Sequence, residues 1–234
     1  MNSHYTYFLI LACTIAGPLL LSFDKKVAFY KRWKRLFIAM IIPAVIYIAW
    51  DCYFVYKEVW SFNPQYVTGL NIYNLPVEEV LFFLIVPYSC VFIYECVICY
   101  FPKTKESLKG DRILLFLMTP LFVIGIFCFS KWYTSATFLG LALCIAIIYP
   151  NRRLFFGFSG NAFMISYAIT LIPFLIVNGF LTRIPIVIYN DNYNLDIRIY
   201  SIPLEDIFYG MLLMLMNIVI YEKLRPDYEH EQYG

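Results

Sequence analysis

The sequence predicts an all-α integral membrane protein with about seven transmembrane helices, arranged as two parallel three-helix repeats plus a connector helix. Three observations support this fold class: the composition, the length of the apolar runs, and an acidic motif that occurs twice. Of the 234 residues, 62% are hydrophobic and 15% are charged, and the mean hydropathy is +0.69. An ordinary soluble domain contains about 45–50% apolar residues, so this composition indicates a membrane protein.

Seven apolar runs approach the length of about 20 residues with which a helix crosses a bilayer core. A helix on a wet surface would need a polar face, which these runs lack. The second run is short, and we expect it to extend to Tyr56. The predicted spans are Tyr5–Leu21, Leu36–Trp50, Val80–Tyr100, Ile113–Phe129, Trp132–Tyr149, Ala162–Phe180 and Leu204–Tyr221.

An acidic motif begins two of these runs. Asn74–Glu79 (NLPVEE) precedes the third span, and Ser201–Asp206 (SIPLED) precedes the seventh, 127 positions later. The same offset pairs Asn63 with Asn190, Tyr66 with Tyr193, Tyr73 with Tyr200, Phe82 with Tyr209, and Glu95 with Glu222. We therefore predict two related halves, 1–110 and 111–234, with the polar stretch 101–111 between them and span four as the connector.

The basic residues predict the orientation. Most of the 18 Lys and Arg residues fall in the loops after spans one, three, five and seven, and cytoplasmic loops carry such an excess. We expect a multi-pass protein of a bacterial-type inner membrane, with the N-terminus outside and the C-terminus in the cytoplasm. Both acidic motifs then lie at the extracytoplasmic face, as parallel repeats require. The cytoplasmic set includes Lys25, Lys31, Arg35, Lys105, Arg152 and Lys223.

Helix capping is the simplest interpretation of the two motifs. Asn74 and Ser201 are good N-cap residues, and acids in a first turn complement the helix dipole. Capping explains one carboxyl group per motif better than two adjacent ones, and acids within membranes are usually functional. We therefore predict that four acids are catalytic and that nearby aromatic residues line the site. The acids are Glu78, Glu79, Glu205 and Asp206, and the aromatic residues are Phe82, Phe83, Phe208 and Tyr209.

Several cofactor-dependent classes lack their residues here. The two histidines, His4 and His230, lie in the tails, so the sequence cannot build the histidine clusters of di-iron enzymes. It contains no G-x-G-x-x-G loop for a dinucleotide. Cys96 and Cys99 have metal-ligand spacing but no second pair. We expect no metal, no cofactor and no nucleic-acid partner, and we interpret Glu95 and Glu222 as interfacial residues at the cytoplasmic helix ends.

The motifs in both halves resemble those of the small membrane lycopene cyclases, in the fused two-repeat form without a synthase domain. The resemblance rests on Trp50-Asp51, Asn63-Pro64, Leu75–Glu79, Asn178–Thr182, Tyr189-Asn190 and Ile202–Asp206. It implies an isomerase, or intramolecular lyase, of carotenoid biosynthesis that acts on lycopene or a related linear carotenoid. We expect β-rings as the product, and the sequence leaves ε- and γ-rings open. It also implies substrate-binding roles for Trp50, Asp51 and Asn178. Membrane lipid is the other expected partner, and a homo-oligomer is left open.

This chemistry suits carboxyl groups in an apolar site. Ring closure needs a proton delivered to the terminal double bond and a base that removes a neighbouring proton, so no net redox change occurs. A carboxylic acid is a suitable donor because apolar surroundings favour its neutral form. The alternative is a small transporter or proton-coupled channel whose paired acids bind ions at broken helices. Pro87 is the one candidate break in the two acid-bearing spans, and Met214 stands at its equivalent.

Overall fold

The computed structural model describes residues 3–151 and 153–225. Arg152, His230 and the tail around Asp227, which the sequence places at the cytoplasmic side or in the tails, lie outside the described residues. Within the described part, seven α-helices form the fold. They are α1 (Thr6–Leu21), α2 (Trp33–Tyr56), α3 (Val77–Tyr100), α4 (Lys109–Phe127), α5 (Trp132–Ile148), α6 (Gly160–Arg183) and α7 (Leu204–Lys223).

Each predicted span corresponds to one helix, which confirms the all-α membrane fold. Five helices are long and apolar enough to cross a membrane, whereas α1 and α5 are shorter, at 16 and 17 residues. Helix α2 continues to Tyr56, as expected from the apolar residues beyond Trp50. Helix α3 continues through Pro87.

The two acid-bearing helices, α3 and α7, occupy the centre of the bundle. Both α2 and α6 pack against each of them, α1 packs against α3, and α5 packs against α7. The connector α4 packs against α5 and α6. Helices at the rim expose large apolar side chains such as Phe116, Phe127 and Ile172, as a lipid-facing surface requires.

Six short strands join the loops at one end of the bundle in the described chain. They are β1 (Trp60–Phe62), β2 (Asn71–Ile72), β3 (Leu75–Pro76), β4 (Val187–Tyr189), β5 (Arg198–Ile199) and β6 (Ile202–Pro203). Strands β2 and β3 form one hairpin, and β5 and β6 form its equivalent in the second half. Tyr73 and Tyr200 hold matching left-handed backbone conformations in these turns, with φ of 59° and 62°.

The antiparallel pair β1–β4 shows how the halves are related. Its register pairs Trp60 with Tyr189, Ser61 with Ile188, and Phe62 with Val187. A shift of 127 positions converts the first pair into the third and leaves the middle pair unchanged, so a pseudo-twofold axis passes between Ser61 and Ile188. The flanking hydrogen bonds obey the same symmetry, since the Asn63 N–H donates to the Ile186 carbonyl and the Asn190 N–H donates to the Val59 carbonyl, each at 2.9 Å.

The two ends of the bundle differ in character. The strand end holds all six strands and the starts of α3 and α7, so both acidic motifs lie at the same end and the repeats are parallel. The opposite, basic end holds Glu95, Glu222 and their cationic partners. That the strand end faces outside the cytoplasm stays a prediction. The boundary between residues 110 and 111 also stays a prediction, and it falls in the first turn of α4.

Candidate functional site

Helices α3 and α7 begin in the same way at the strand end. Pro76 and Pro203 stand at their N-caps with almost identical backbone angles, φ −56° and ψ 143° or 142°. Asn74 donates its side-chain N–H to the Cys52 carbonyl, and the Ser201 hydroxyl pairs with another hydroxyl, that of Thr182. Neither side chain caps its helix, so the capping interpretation of Asn74 and Ser201 is wrong. Proline fixes the entry into the helix instead.

The first acid of each motif supports a loop. Glu78 accepts the backbone N–H of Thr68 at 2.8 Å, and Glu205 accepts the equivalent N–H of Leu195 at 2.8 Å. Glu205 also accepts the hydroxyl of Thr134 at 2.5 Å. Both carboxyl groups are fully buried, and neither belongs to the walls of the cavity described below.

The second acid of each motif lies in the wall of a cavity between the halves. Glu79 accepts a hydrogen bond of 2.5 Å from the hydroxyl of Tyr7, and Asp206 accepts one of 2.6 Å from Tyr133. Asp206 also accepts the hydroxyl of Tyr189 at 3.1 Å. Adjacent residues on a helix point about 100° apart, so the two acids of one motif face different surroundings.

The cavity has a volume of about 40 Å³ and takes its walls from both halves. A cavity of this size holds only a few water molecules, at about 10–15 Å³ for each, so an organic end group can enter only if side chains move aside. The polar wall residues are Asp51, Glu79, Asn178 and Asp206, together with the hydroxyls of Tyr7, Tyr133, Tyr189 and Tyr209. Aromatic and apolar residues complete the walls, including Trp60, Phe62, Phe82, Phe174 and Leu181.

Asp51 and Asn178 hold equivalent positions, 127 residues apart, and both lie in this cavity. Asp51 is buried and accepts the indole N–H of Trp60 at 2.5 Å, while its second oxygen has no hydrogen-bond partner among the described residues. The equivalent of Trp60 is Val187, whose side chain has no hydrogen-bond donor. The cavity is therefore composite and asymmetric, with an acid on one side and an amide on the other.

The structure separates the predicted aromatic residues into two groups. Phe82 and Tyr209 line the cavity. Three other side chains do not line the cavity, because they point away from it and pack against residues behind its walls. Trp50 packs on Tyr209 with ring centres 5.3 Å apart, Phe83 packs on Tyr47 at 5.6 Å, and Phe208 packs on Phe138 at 4.9 Å.

The hydroxyl partners of the acids were not predicted from the sequence. Tyr7 and Tyr133 correspond at an offset of 126, so a one-residue shift between the first and fifth spans hides them from a search at 127. Tyr189, in strand β4 outside the spanning helices, lies beside Asp206. Burial, together with that carboxyl group, raises the pKa of Tyr189 well above its ordinary value, so its hydroxyl keeps the proton that it donates.

Groups of three or more His, Cys, Asp or Glu side chains arranged to hold a metal ion do not occur in residues 3–151 and 153–225. The chemistry available in the cavity comes from three carboxyl groups, an amide, phenol hydroxyls and aromatic faces.

Fold and site together define a multi-pass membrane protein with one acid-lined cavity between two repeats. Comparison with known families identifies the group: the family model for lycopene cyclase matches residues 4–97 and 130–224, one match in each half. These matches cover more than half of the chain, so it belongs to the lycopene cyclase family.

Three fungal proteins illustrate its relatives, each named a bifunctional lycopene cyclase/phytoene synthase. The protein of Aspergillus oryzae is 30% identical over 112 residues, which is 44% of this chain and 18% of the relative. That of Aspergillus niger is 33% identical over 83 residues, 33% of this chain and 14% of the relative. That of Colletotrichum graminicola is 38% identical over 61 residues, 26% of this chain and 10% of the relative. The chain thus matches less than a fifth of the length of these relatives, and no solved structure gives a significant match.

Proposed function

We propose that this protein is a carotenoid cyclase that closes β-rings at the ends of lycopene or a related linear carotenoid. The observation that carries the proposal is the composite cavity, in which Asp51, Glu79 and Asp206 lie among aromatic rings inside an apolar bundle. The family and the names of the fungal relatives support the same reaction class.

The reaction is an isomerisation in which protons balance. A carboxylic acid adds its proton to the terminal double bond, and this leaves a tertiary cation. The next reacting double bond of the chain attacks the cation and closes the six-membered ring. A carboxylate then removes a proton from a carbon beside the new cation, which restores a double bond. No electron acceptor, donor or second substrate is consumed.

Glu79 and Asp206 are the proposed proton donor and acceptor. They hold equivalent positions in the two halves and face the same cavity, each positioned by a tyrosine hydroxyl. The two roles are assigned to the pair as a whole, because the symmetry does not show which of the two acids donates the proton and which accepts it. Asp51, whose second oxygen has no partner among the described residues, supplies a third carboxyl group beside them.

Aromatic faces around the cavity stabilise the cation. A cation over an aromatic ring gains about 2 kcal/mol or more where water is excluded. Trp60, Phe82 and Tyr209 line the cavity and offer such faces. In this proposal Glu78 and Glu205 have a structural role, because they hold the loops that form the cavity wall at the strand end.

Acid-to-amide variants test the proposal in purified protein supplied with lycopene, a chelator and no flavin. Glu79→Gln and Asp206→Asn should each lower the initial rate at least about 100-fold, since general acid–base catalysis typically contributes that much. Glu58→Gln, at an exposed acid of the strand end, is the matched control and should keep the wild-type rate. Products are separated by chromatography and identified by their absorption spectra.

Two results would contradict this proposal. Wild-type protein that returns only unchanged lycopene, with or without reduced flavin, would contradict the cyclase activity. A wild-type rate in either Glu79→Gln or Asp206→Asn would contradict the role of that carboxyl group.

A further inference from the structure

A long groove runs along the outside of the bundle between α1 and α6, with α3 as its floor. Its volume is about 760 Å³, far larger than that of the acid cavity. The lining is almost entirely apolar, and the described residues that form it include no charged side chain. Representative wall residues are Leu9, Cys13 and Gly17 on α1, and Pro173, Ile176 and Phe180 on α6.

A small pocket of about 40 Å³ lies between this groove and the acid cavity. The pocket shares Thr14, Ile93 and Val177 with the groove, and it shares Phe82 and Phe174 with the cavity. The three spaces therefore follow one another from the lipid-facing surface to the acids. Phe82 and Phe174 form the boundary between the pocket and the cavity.

The other half has different residues at the equivalent positions. Val177 corresponds to Trp50 at the offset of 127, and Thr14 corresponds to Gly140 at the offset of 126 that also relates Tyr7 to Tyr133. A Cβ atom at Gly140 would lie 3.1 Å from the Leu212 side chain and 3.9 Å from the Trp50 ring, so both side chains lie beside Gly140. The two halves thus differ at the position where the groove reaches inward.

We propose that the groove between α1 and α6 binds the hydrocarbon chain of the linear polyene while one end group passes Phe82 and Phe174 into the acid cavity. This inference rests on the proposed cyclase function and adds the route and binding surface of the substrate. The lining extends along α1 from Thr6 to Leu21, about 22 Å at 1.5 Å per residue. The connecting pocket meets this lining near Thr14, so the stretch from Thr14 to Leu21, about 10 Å at 1.5 Å per residue, holds part of the chain left outside the cavity. A C40 polyene is about as long as a bilayer core is thick, near 30 Å, so the rest of the chain extends beyond the groove.

Two substitutions place a large ring in the proposed path. Gly17→Trp fills the groove itself, where an added Cβ meets no atom within 4 Å. Val177→Trp copies the residue of the other half and fills the connecting pocket. Gly179→Trp is the matched control, because its Cβ also enters open space but Gly179 belongs to the lining of none of the three spaces.

The first measurement is binding, independent of turnover. Each protein is placed in phosphatidylcholine nanodiscs with lycopene, repurified, and analysed for carotenoid per mole of protein. Gly17→Trp and Val177→Trp should retain at least tenfold less than wild type, whereas Gly179→Trp should stay within twofold. A monodisperse elution profile confirms folding, and if Val177→Trp fails to fold, Gly17→Trp on the lipid-facing side carries the test.

The second measurement is the rate with lycopene and with a terpene of a quarter of its length that carries one reactive end. Gly17→Trp should slow lycopene at least tenfold and leave the short terpene within twofold of wild type, since a short chain does not reach Gly17. Wild-type binding and rates in both groove variants would show that the groove holds only lipid and would overturn the inference. An equal loss in Gly179→Trp would overturn it too.

The design separates this inference from the proposed function. If the wild-type protein binds lycopene but forms no cyclic product, and Gly17→Trp abolishes that binding, the result would support the groove and contradict the cyclase. Cyclic product from both wild type and the groove variants would support the cyclase and contradict the groove. A wild-type protein that neither retains nor converts lycopene would contradict both.

Discussion

At the residue scale, neighbouring carboxyl groups divide into two roles. Glu79 and Asp206 face the cavity, whereas Glu78 and Glu205 accept loop N–H groups inside the protein. All four looked alike in the sequence, because a motif gives position along the chain but not the direction in which a helix presents each side chain. The helix phase depends on how α3 and α7 pack at the centre of the bundle.

The supporting role of Glu78 predicts a defect in stability rather than in chemistry. Glu78→Ala leaves the Thr68 N–H without its acceptor, which should cost about 1–3 kcal/mol in free energy of unfolding. Glu78→Gln keeps an acceptor oxygen and should restore most of this loss. Thermal unfolding in detergent measures the effect, and the rate per folded molecule should stay near wild type in both. A folded but inactive Glu78→Gln would instead support the original prediction that this acid is catalytic.

Sequence patterns could identify the acids but not their partners. Trp60 reaches Asp51 nine positions away across a turn, and Tyr7 reaches Glu79 from another helix. Such contacts depend on tertiary packing, which no local pattern encodes. The doubled motif nevertheless located both sides of the cavity, because each half supplies the same helix start.

At the element scale, the lengths of the apolar runs predicted the helices, but no sequence pattern predicted the strands. Strands of two or three residues carry too little alternation to be recognised. Strands β1 and β4 form because the two equivalent loops meet across the pseudo-twofold axis, whereas the other four strands form one hairpin within each loop. This pair contributes Trp60, Phe62, Val187 and Tyr189 to the cavity wall and covers it at the strand end.

The strand pair should stay closed during turnover. Ser61 and Ile188 lie directly opposite each other, where Cα atoms are about 4.5–5.5 Å apart, a separation that suits a disulfide. Oxidised Ser61→Cys/Ile188→Cys should contain this cross-link by peptide mass spectrometry and keep a rate within twofold of its reduced form, because the polyene enters from the side. Ser61→Cys/Ile199→Cys is the control that should not cross-link. A rate lost on oxidation and regained on reduction would show that the strands must separate.

At the scale of the whole molecule, contacts at both ends hold the halves together. The strand pair joins them at one end, and buried charges join them at the other. Glu95 of the first half forms ion pairs with Arg225 of the second half at 2.6 Å and with Arg35 at 2.9 Å. Glu222 of the second half forms one with Lys105 of the first half at 2.9 Å. The sequence placed Glu95 and Glu222 at the interface of the membrane but did not show that they bind across the repeats.

Removal of the Glu95 charge should destabilise the protein without changing its chemistry. A buried ion pair that loses one partner typically costs about 3–5 kcal/mol. Glu95→Gln should therefore lower the thermal midpoint clearly, while Glu106→Gln at an exposed acid should not. The rate per folded molecule should remain near wild type in both variants. An unchanged midpoint in Glu95→Gln would show that the charge cluster does not hold the halves together.

The orientation in the membrane is open to a direct test. Reporter fusions after Lys31 and Lys105 should be active in the cytoplasm, and fusions after Asn63 and Asn192 should be active outside. The reason is the excess of basic residues at the basic end. The structure requires the two loops at Asn63 and Asn192 to lie on the same side of the membrane, since β1 and β4 pair beside them. A reversed pattern would show that the strand end faces the cytoplasm, and it would not affect the parallel arrangement of the repeats.

The asymmetry between Val177 and Trp50 has a consequence for how many rings are made. A linear carotenoid has two equivalent tails, and the proposed route leads inward on the side of α1 and α6. Under the proposed function, a doubly cyclised product requires the half-finished molecule to withdraw, reverse end for end and enter again, now with a bulky ring lying beyond Leu21. The fit of that ring beyond the far end of the groove, rather than the acids, would then set the ratio of one-ringed to two-ringed pigment in the cell.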